Sequence, residues 1–260
     1  MALVHPFINQ RFGGYAREFY TLLKGWLIGV PREQDKFVLF GRGRSGSTLL
    51  TQMLNSNPKV NCDKEIFNRK VLFPKLYVNS RKRIFKKEVY GFKLLSYQLR
   101  EHYSPEGARN FMQYLAQKQG YKIVYLTREN PVLQTMSKHY ARFRGTWHQT
   151  TELNRPEKMV VNIPRFMQEL RASVELDEFE AYCLQGIPNF KVVYEQDLQN
   201  SGEQFRLLDR LSHFLRIPLA KPNLSLKKIS SERVSDYVEN WEELKHCISY
   251  TEFSRFADFD

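Results

Sequence analysis

The sequence predicts an α/β domain with a central parallel sheet covered by helices. Three observations lead there. Short, continuous apolar runs alternate with helical patterns along the chain. A glycine-rich turn joins the first apolar run to a helix. No internal repeat and no linker rich in Gly, Ser or Pro divides the 260 residues, so residues 1–260 read as one domain.

The elements follow in order. Leu22, Leu23, Trp26, Leu27, Ile28 and Val30 form an apolar stretch interrupted by Arg17, Glu18 and Lys24, which reads as a packed amphipathic helix in an N-terminal extension, residues 1–35. Phe37-Val-Leu-Phe40 is the kind of run a buried parallel strand needs. Thr48 to Asn55 reads as a helix, stopped at Asn57-Pro58. Glu88 to Leu95 and Tyr121 to Leu126 are two further buried strands, with a helix over 106–119 between them that ends at Gly120. Asn130-Pro131 opens another helix, and residues 165–185 make a long amphipathic one. Phe190 to Tyr194 is a fourth strand, and residues 203–215 a helix that ends before Pro218. A C-terminal segment, 223–260, is polar at first and helical from about 241.

Composition narrows the function. Hydrophobic residues are 42% and charged residues 26%, which excludes disorder, collagen and coiled coil for the whole chain. The net charge of +12 favours an anionic partner. No run reaches the roughly eighteen apolar residues of a membrane span, and no secretory signal pattern is present. Cys62, Cys183 and Cys247 are far apart and odd in number. A reduced, cytoplasmic protein is expected, with no membrane partner. The six histidines lack ligand spacing, so no metal is expected.

The turn Gly41-Arg-Gly-Arg-Ser-Gly-Ser-Thr48 carries most of the chemistry. Gly43 and Gly46 let the backbone curl until successive N–H groups face inward. The helix start adds its positive end. Arg42 or Arg44 supplies charge, while Ser45, Ser47 and Thr48 supply hydroxyls. These parts make an anion cradle. Gly41 and Gly46 have the spacing of the G-x-x-x-x-G-K-[ST] loop, but Ser47 stands where nucleoside triphosphatases need lysine, which disfavours ATP or GTP hydrolysis.

Arg44-Ser-Gly-Ser-Thr-Leu-Leu50 resembles the phosphosulfate loop of sulfotransferases that use 3′-phosphoadenosine 5′-phosphosulfate (PAPS), in the Arg-Ser-Gly-Ser style of bacterial and carbohydrate-type members. Three further segments match in order. Leu126-Thr-Arg-Glu-Asn-Pro-Val-Leu-Gln-Thr-Met-Ser137 resembles the 3′-phosphate site, with Arg128 and Ser137 at the matching positions. Val192-Val-Tyr-Glu-Gln-Asp-Leu198 resembles the segment whose tyrosine, here Tyr194, faces adenine. Arg233-Val-Ser-Asp-Tyr-Val-Glu-Asn-Trp241 resembles the C-terminal segment that covers the nucleotide, with Lys227, Lys228 or Arg233 as further phosphate ligands. The resemblance runs from about residue 37 to 245. It implies a P-loop-like three-layer fold, PAPS as donor, adenosine 3′,5′-bisphosphate as product and no metal.

It also implies site residues. Arg44 and the loop amides would stabilise the leaving oxygen of an in-line transfer. Lys93 matches a lysine that contacts the sulfuryl group. Leu95 stands where cytosolic members carry a catalytic histidine, so the base is expected to be Glu65, as in bacterial members, with Asp63 a rival. His102, His139 and His148 are other possible bases. Tyr103, Tyr140, Phe143 and Trp147 could wall an acceptor pocket, and the basic run Arg81–Lys87 reads as a solvated helix face beside the cleft. The acceptor is expected to be a hydroxyl or amine of a small molecule or carbohydrate, such as a sugar or a bacterial natural product of the guanidinium-toxin type. Two other readings compete: a phosphate-loop kinase or related phosphotransferase, and a basic nucleic-acid-binding protein without catalysis. The first lacks its lysine; the second leaves the glycine turn unexplained.

Overall fold

The computed structural model describes residues 6–29, 34–85, 87–145, 157–220 and 233–258, with side chains from residue 15 onward. Five parallel strands form one sheet in the order β2-β3-β1-β4-β5. They are β1 (Asp35–Gly41), β2 (Val60–Glu65), β3 (Val89–Leu95), β4 (Tyr121–Thr127) and β5 (Asn189–Val193). Four of them lie where the apolar runs predict. β2 is the fifth; it sits at the sheet edge, and its Val-Asn-Cys-Asp-Lys-Glu sequence has no continuous apolar run to announce it.

Helices cover both faces, which makes three layers. On one face Val38, Phe40, Tyr90, Phe92 and Leu94 pack under α3 (Pro74–Ile84), α4 (Ser96–His102), α5 (Pro105–Gln113) and α7 (Ile163–Leu184). On the other, Phe37, Leu39, Val124 and Val192 pack under α2 (Ser47–Asn55) and α9 (Ser201–Leu215). Between α5 and β4 a π-helical turn, Tyr114–Lys118, replaces the end of the single helix expected over 106–119. Alternating strand faces explain the two layers, since successive side chains of each strand point to opposite sides.

A third apolar cluster joins α6 (Pro131–Phe143) and α7 to the C-terminal segment through Met136, Phe166, Leu170, Val234, Leu244 and Ile248. That segment contains α10 (Trp241–Ser249), close to the expected start near 241. A short helix, α8 (Tyr194–Asp197), follows β5 directly.

The N-terminal helix, α1 (Pro6–Leu27), corrects one expectation. It packs on α3, but through its polar and small residues: Glu18, Thr21 and Gly25 are the buried positions. A Cβ at Gly25 would stand 2.5 Å from Cβ of Ser80 in α3, so the two backbones touch there. Glu18 accepts hydrogen bonds from the N–H groups of Leu72 (2.9 Å) and Phe73 (2.7 Å), which bind the start of α3 to α1. Phe19, Leu23, Trp26 and Leu27 face outward. No helix among the described residues is long and apolar enough to cross a membrane.

Candidate active site

The loop after β1 owes its shape to the strand's neighbours. β1 is paired on both sides up to its last residue, where Gly41 lies opposite Leu95 of β3 and Leu126 of β4. A Cβ at Gly41, whose φ is 147°, would lie 2.2 Å from the Leu126 carbonyl oxygen, so only glycine fits. The chain then turns through Arg44 (φ 66°) and Gly46 (φ 81°), both left-handed, into α2. A Cβ on Gly46 would meet Leu198 Cδ1 at 2.6 Å and the Tyr194 ring at 3.0 Å.

The turn is braced from within and from outside. Ser45 Oγ donates to the Arg42 carbonyl (2.6 Å), Gln134 Nε2 to the Gly43 carbonyl (2.9 Å) and Arg128 Nη1 to the Arg44 carbonyl (3.2 Å). With its carbonyls engaged in this way, the turn has backbone N–H groups to present at the head of α2, beside the helix's positive end. Ser47 is buried, and Thr48 stands in the first turn of α2.

Two constellations flank the turn. On the β4 side, Arg44 Nε donates to Ser137 Oγ of α6 at 3.0 Å. The Arg128 guanidinium lies 4.6 Å from the centre of the Tyr194 ring and pairs with Glu195 at 3.1 Å. Burial first, and then the neighbouring Arg128 cation, lower the Arg44 pKa. Four expected residues, Arg44, Arg128, Ser137 and Tyr194, therefore meet in one place. Arg44 belongs to this group, with Ser137 and Arg128.

On the β3 side, Lys93 Nζ lies 2.8 Å from Glu65 Oε1 and donates to Thr48 Oγ1 at 3.1 Å. Lys93 is almost fully buried, while Glu65 is partly open to solvent. A register shift in β2 makes this possible. Asp63 stands opposite Phe92 and Glu65 opposite Lys93, with a bulge between them. Phe92 and Lys93 point to opposite faces, so the bulge sends the two carboxylates to opposite faces as well. Asp63 goes to the covered side, where it accepts from Arg81 (2.7 Å) and the Tyr90 hydroxyl (3.1 Å). Asp63 therefore lies on the face opposite Glu65 and Lys93, within the packing under α3. This pairing removes Arg81 from the solvated face expected of it.

Sequence patterns did not reveal Gln98. Its side chain is buried in α4, accepts from the Leu95 N–H (3.1 Å) and donates to Glu65 Oε2 (2.9 Å). Gln134 and Glu195 play similar bracing parts for Gly43 and Arg128. Gln134 and Glu195 fall within the matched segments, but their bracing parts do not show there, because each acts through a partner distant in sequence.

Other candidates are used elsewhere. His102 sits between the Gln98 carbonyl (2.8 Å at Nδ1) and the Val71 N–H (3.1 Å at Nε2). His139 packs on Phe166 beside Glu169. Tyr140 is buried against Tyr237 and is a core residue, not a pocket wall, while Tyr103 is partly buried and stacks on Phe111 at the core's edge. Phe143 is half exposed and stacks on Tyr140. Arg233 is exposed at the head of a 3₁₀ turn, Val234–Asp236. Trp147, His148, Lys227 and Lys228 lie outside the described residues.

Arg42 is the clear departure from expectation. Its side chain turns away from the cradle into α7, where it pairs with Asp177 (2.5 Å) and donates to the Ser173 carbonyl (2.8 Å). Glu180 lies 3.7 Å from Arg42 Nε and accepts from the Tyr125 hydroxyl at 2.9 Å. A guanidinium this deep needs carboxylates, and α7 supplies them.

No family profile matches the chain, and no curated protein matches it. Among solved structures, a mouse sulfotransferase, SULT7A1, complexed with PAP is similar over 90% of this chain and 92% of its own, at 13% identity and a TM-score of 0.41. A likeness that distant carries nothing about chemistry.

The Arg42 cluster has a pH signature. Burial raises the Glu180 pKa to about 7, against the opposing pull of Arg42. The folded state then keeps a proton that the unfolded state releases, so this contribution to stability is full below the usual carboxylate pKa and is lost as pH rises through about 7. Glu180→Gln should remove that loss. From pH 5 to pH 8 the wild type should lose up to about 3 kcal/mol of stability relative to the variant. Denaturant melts of both proteins across that range measure it, and parallel curves would contradict it.

Proposed function

We propose that the chain transfers a sulfuryl group from PAPS to a hydroxyl or amine of a small-molecule or carbohydrate acceptor. One observation carries the reading: a single buried ammonium, Lys93, spans the head of the glycine turn at Thr48 and the carboxylate of Glu65. A charge-stabilising group and a candidate base thus sit beside an anion cradle, which is what group transfer from a phosphosulfate anhydride needs.

Roles follow from position. Arg128, Ser137 and Arg44 suit the 3′-phosphate, where arginine forks and a hydroxyl meet a dianion. Tyr194, beside Gly46 and under Arg128, offers an aromatic face to the base. The glycine turn, with its backbone N–H groups and Thr48 at the head of α2, suits the 5′-phosphate. Lys93 faces the leaving oxygen. Glu65, oriented by Gln98, takes the acceptor's proton as the acceptor–sulfur bond forms and the bond from sulfur to the phosphate oxygen breaks, leaving adenosine 3′,5′-bisphosphate. A sulfuryl group carries less negative charge than a phosphoryl group, so fixed cations meet much of its demand. Ser47, in place of the phosphate-loop lysine, supports this donor over ATP.

The direct test is ligand-dependent melting. Adenosine 3′,5′-bisphosphate at about a hundred times its Kd should stabilise the protein by roughly 3 kcal/mol, with little effect from ATP–Mg²⁺ or an oligonucleotide. Stabilisation by ATP–Mg²⁺ alone would favour a phosphotransferase instead. Glu65→Gln should keep bisphosphate binding and lower kcat by about 10²- to 10⁴-fold, measured on whichever acceptor gains mass in a PAPS-fed screen. Undiminished turnover would clear Glu65 of the part. Arg128→Ala should raise the KM for PAPS by about ten- to a hundred-fold, and an unaltered KM would take Arg128 out of the site.

A further inference from the structure

The outward side of α1 is unusual for a packed helix. Its docked positions, Glu18, Thr21 and Gly25, recur at a spacing of three and four and form one face. Phe19, Leu23 and Trp26 recur at four and three and form another, which is open: Phe19 is 71% and Trp26 72% exposed. Arg17 and Lys24, seven apart, form a third, also exposed. A helix meant only to cover a core would bury its large apolar residues and expose its glutamate. Here Glu18 is inside and Trp26 outside.

The open stripe continues onto α3. Glu18 holds the Leu72 and Phe73 amides against α1, and Leu72, Phe73 and Leu76 are all more than half exposed. Contiguous apolar surface of this kind marks a binding face. Its charge identifies the partner. Within residues 15–29 and 66–85 the only acidic side chain is the buried Glu18, whereas Arg17, Lys24, Arg69, Lys70 and Lys75 are exposed. A second copy of the chain placed on this face would set like charges against each other. An anionic surface into which Trp, Phe and Leu can sink fits both properties.

We propose that this face, made by α1 and the start of α3, seats the protein on anionic lipid bilayers as an interfacial helix lying in the plane of the membrane. The apolar stripe enters the headgroup boundary and the flanking cations meet the lipid phosphates. This seating is separate from the sulfuryl-transfer reading, because it needs no nucleotide.

Sedimentation of the full chain with vesicles tests it. Vesicles of phosphatidylcholine with phosphatidylglycerol should carry the protein down, and pure phosphatidylcholine vesicles should not. A triple variant, Phe19→Ser, Leu23→Ser and Trp26→Ser, keeps every charge and should lose binding by at least about ten-fold. Each of Arg17→Glu and Lys24→Glu should weaken binding by about five-fold or more. All the altered side chains are exposed, and unchanged circular dichroism and melting confirm that the variants fold. As a second readout, anionic vesicles should shift tryptophan emission to the blue in the wild type and not in Trp26→Phe. Three outcomes overturn the proposal: no sedimentation with anionic vesicles, equal binding to both vesicle types, or full binding by the triple serine variant, which would reduce the effect to the net charge of +12. Self-association of the free chain that the triple variant abolishes would also overturn it, by assigning the face to a second copy.

Discussion

The site depends on how the central strand ends. β1 is paired with both β3 and β4 from Lys36 to Gly41, so it cannot bend until its last paired residue. At that residue the Leu126 carbonyl occupies the place of a side chain, and Gly41 resolves the conflict. Everything after it is a consequence: a turn held by its carbonyls, and a helix that begins beside the carboxyl ends of β3 and β4. Open α/β sheets place their ligands at such ends, where neighbouring connections diverge.

A second constraint divides the acids of β2. In a regular strand Asp63 and Glu65 would share a face, and both would lie near the same cation. The bulge separates them, giving Asp63 to Arg81 and Tyr90 and Glu65 to Lys93. One carboxylate becomes part of the packing, while the other stays partly open to solvent beside Lys93. The same division recurs among the loop's arginines: Arg42 ties the turn to α7, while Arg44 stays with Ser137.

Much of this was legible in the sequence, for identifiable reasons. Strands buried on both sides read as continuous apolar runs, so β1, β3, β4 and β5 were found close to their true limits. Proline and the caps marked helix starts such as Asn130-Pro131, where Asn130 accepts from the Leu133 N–H at 3.0 Å. The glycine turn and the segments around Arg128, Ser137 and Tyr194 could be found because their spacing is local. What escaped depends on distant parts of the chain. Edge strand β2 is too polar to announce itself. Arg42 looked like a ligand-binding residue because the carboxylates that claim it come from a helix more than a hundred residues later. Gln98 looked like any polar residue after a strand until the fold brought it to Glu65.

Glu18 has one more implication, for anyone who would trim the chain. The same helix that turns its apolar stripe outward also supplies the carboxylate that accepts the Leu72 and Phe73 amides. Cutting α1 away to gain solubility would leave those two donors without their acceptor and strip the cover from Ser80. Stickiness and structural support are thus inseparable by deletion here, and only point replacements on the outer side can alter one while sparing the other.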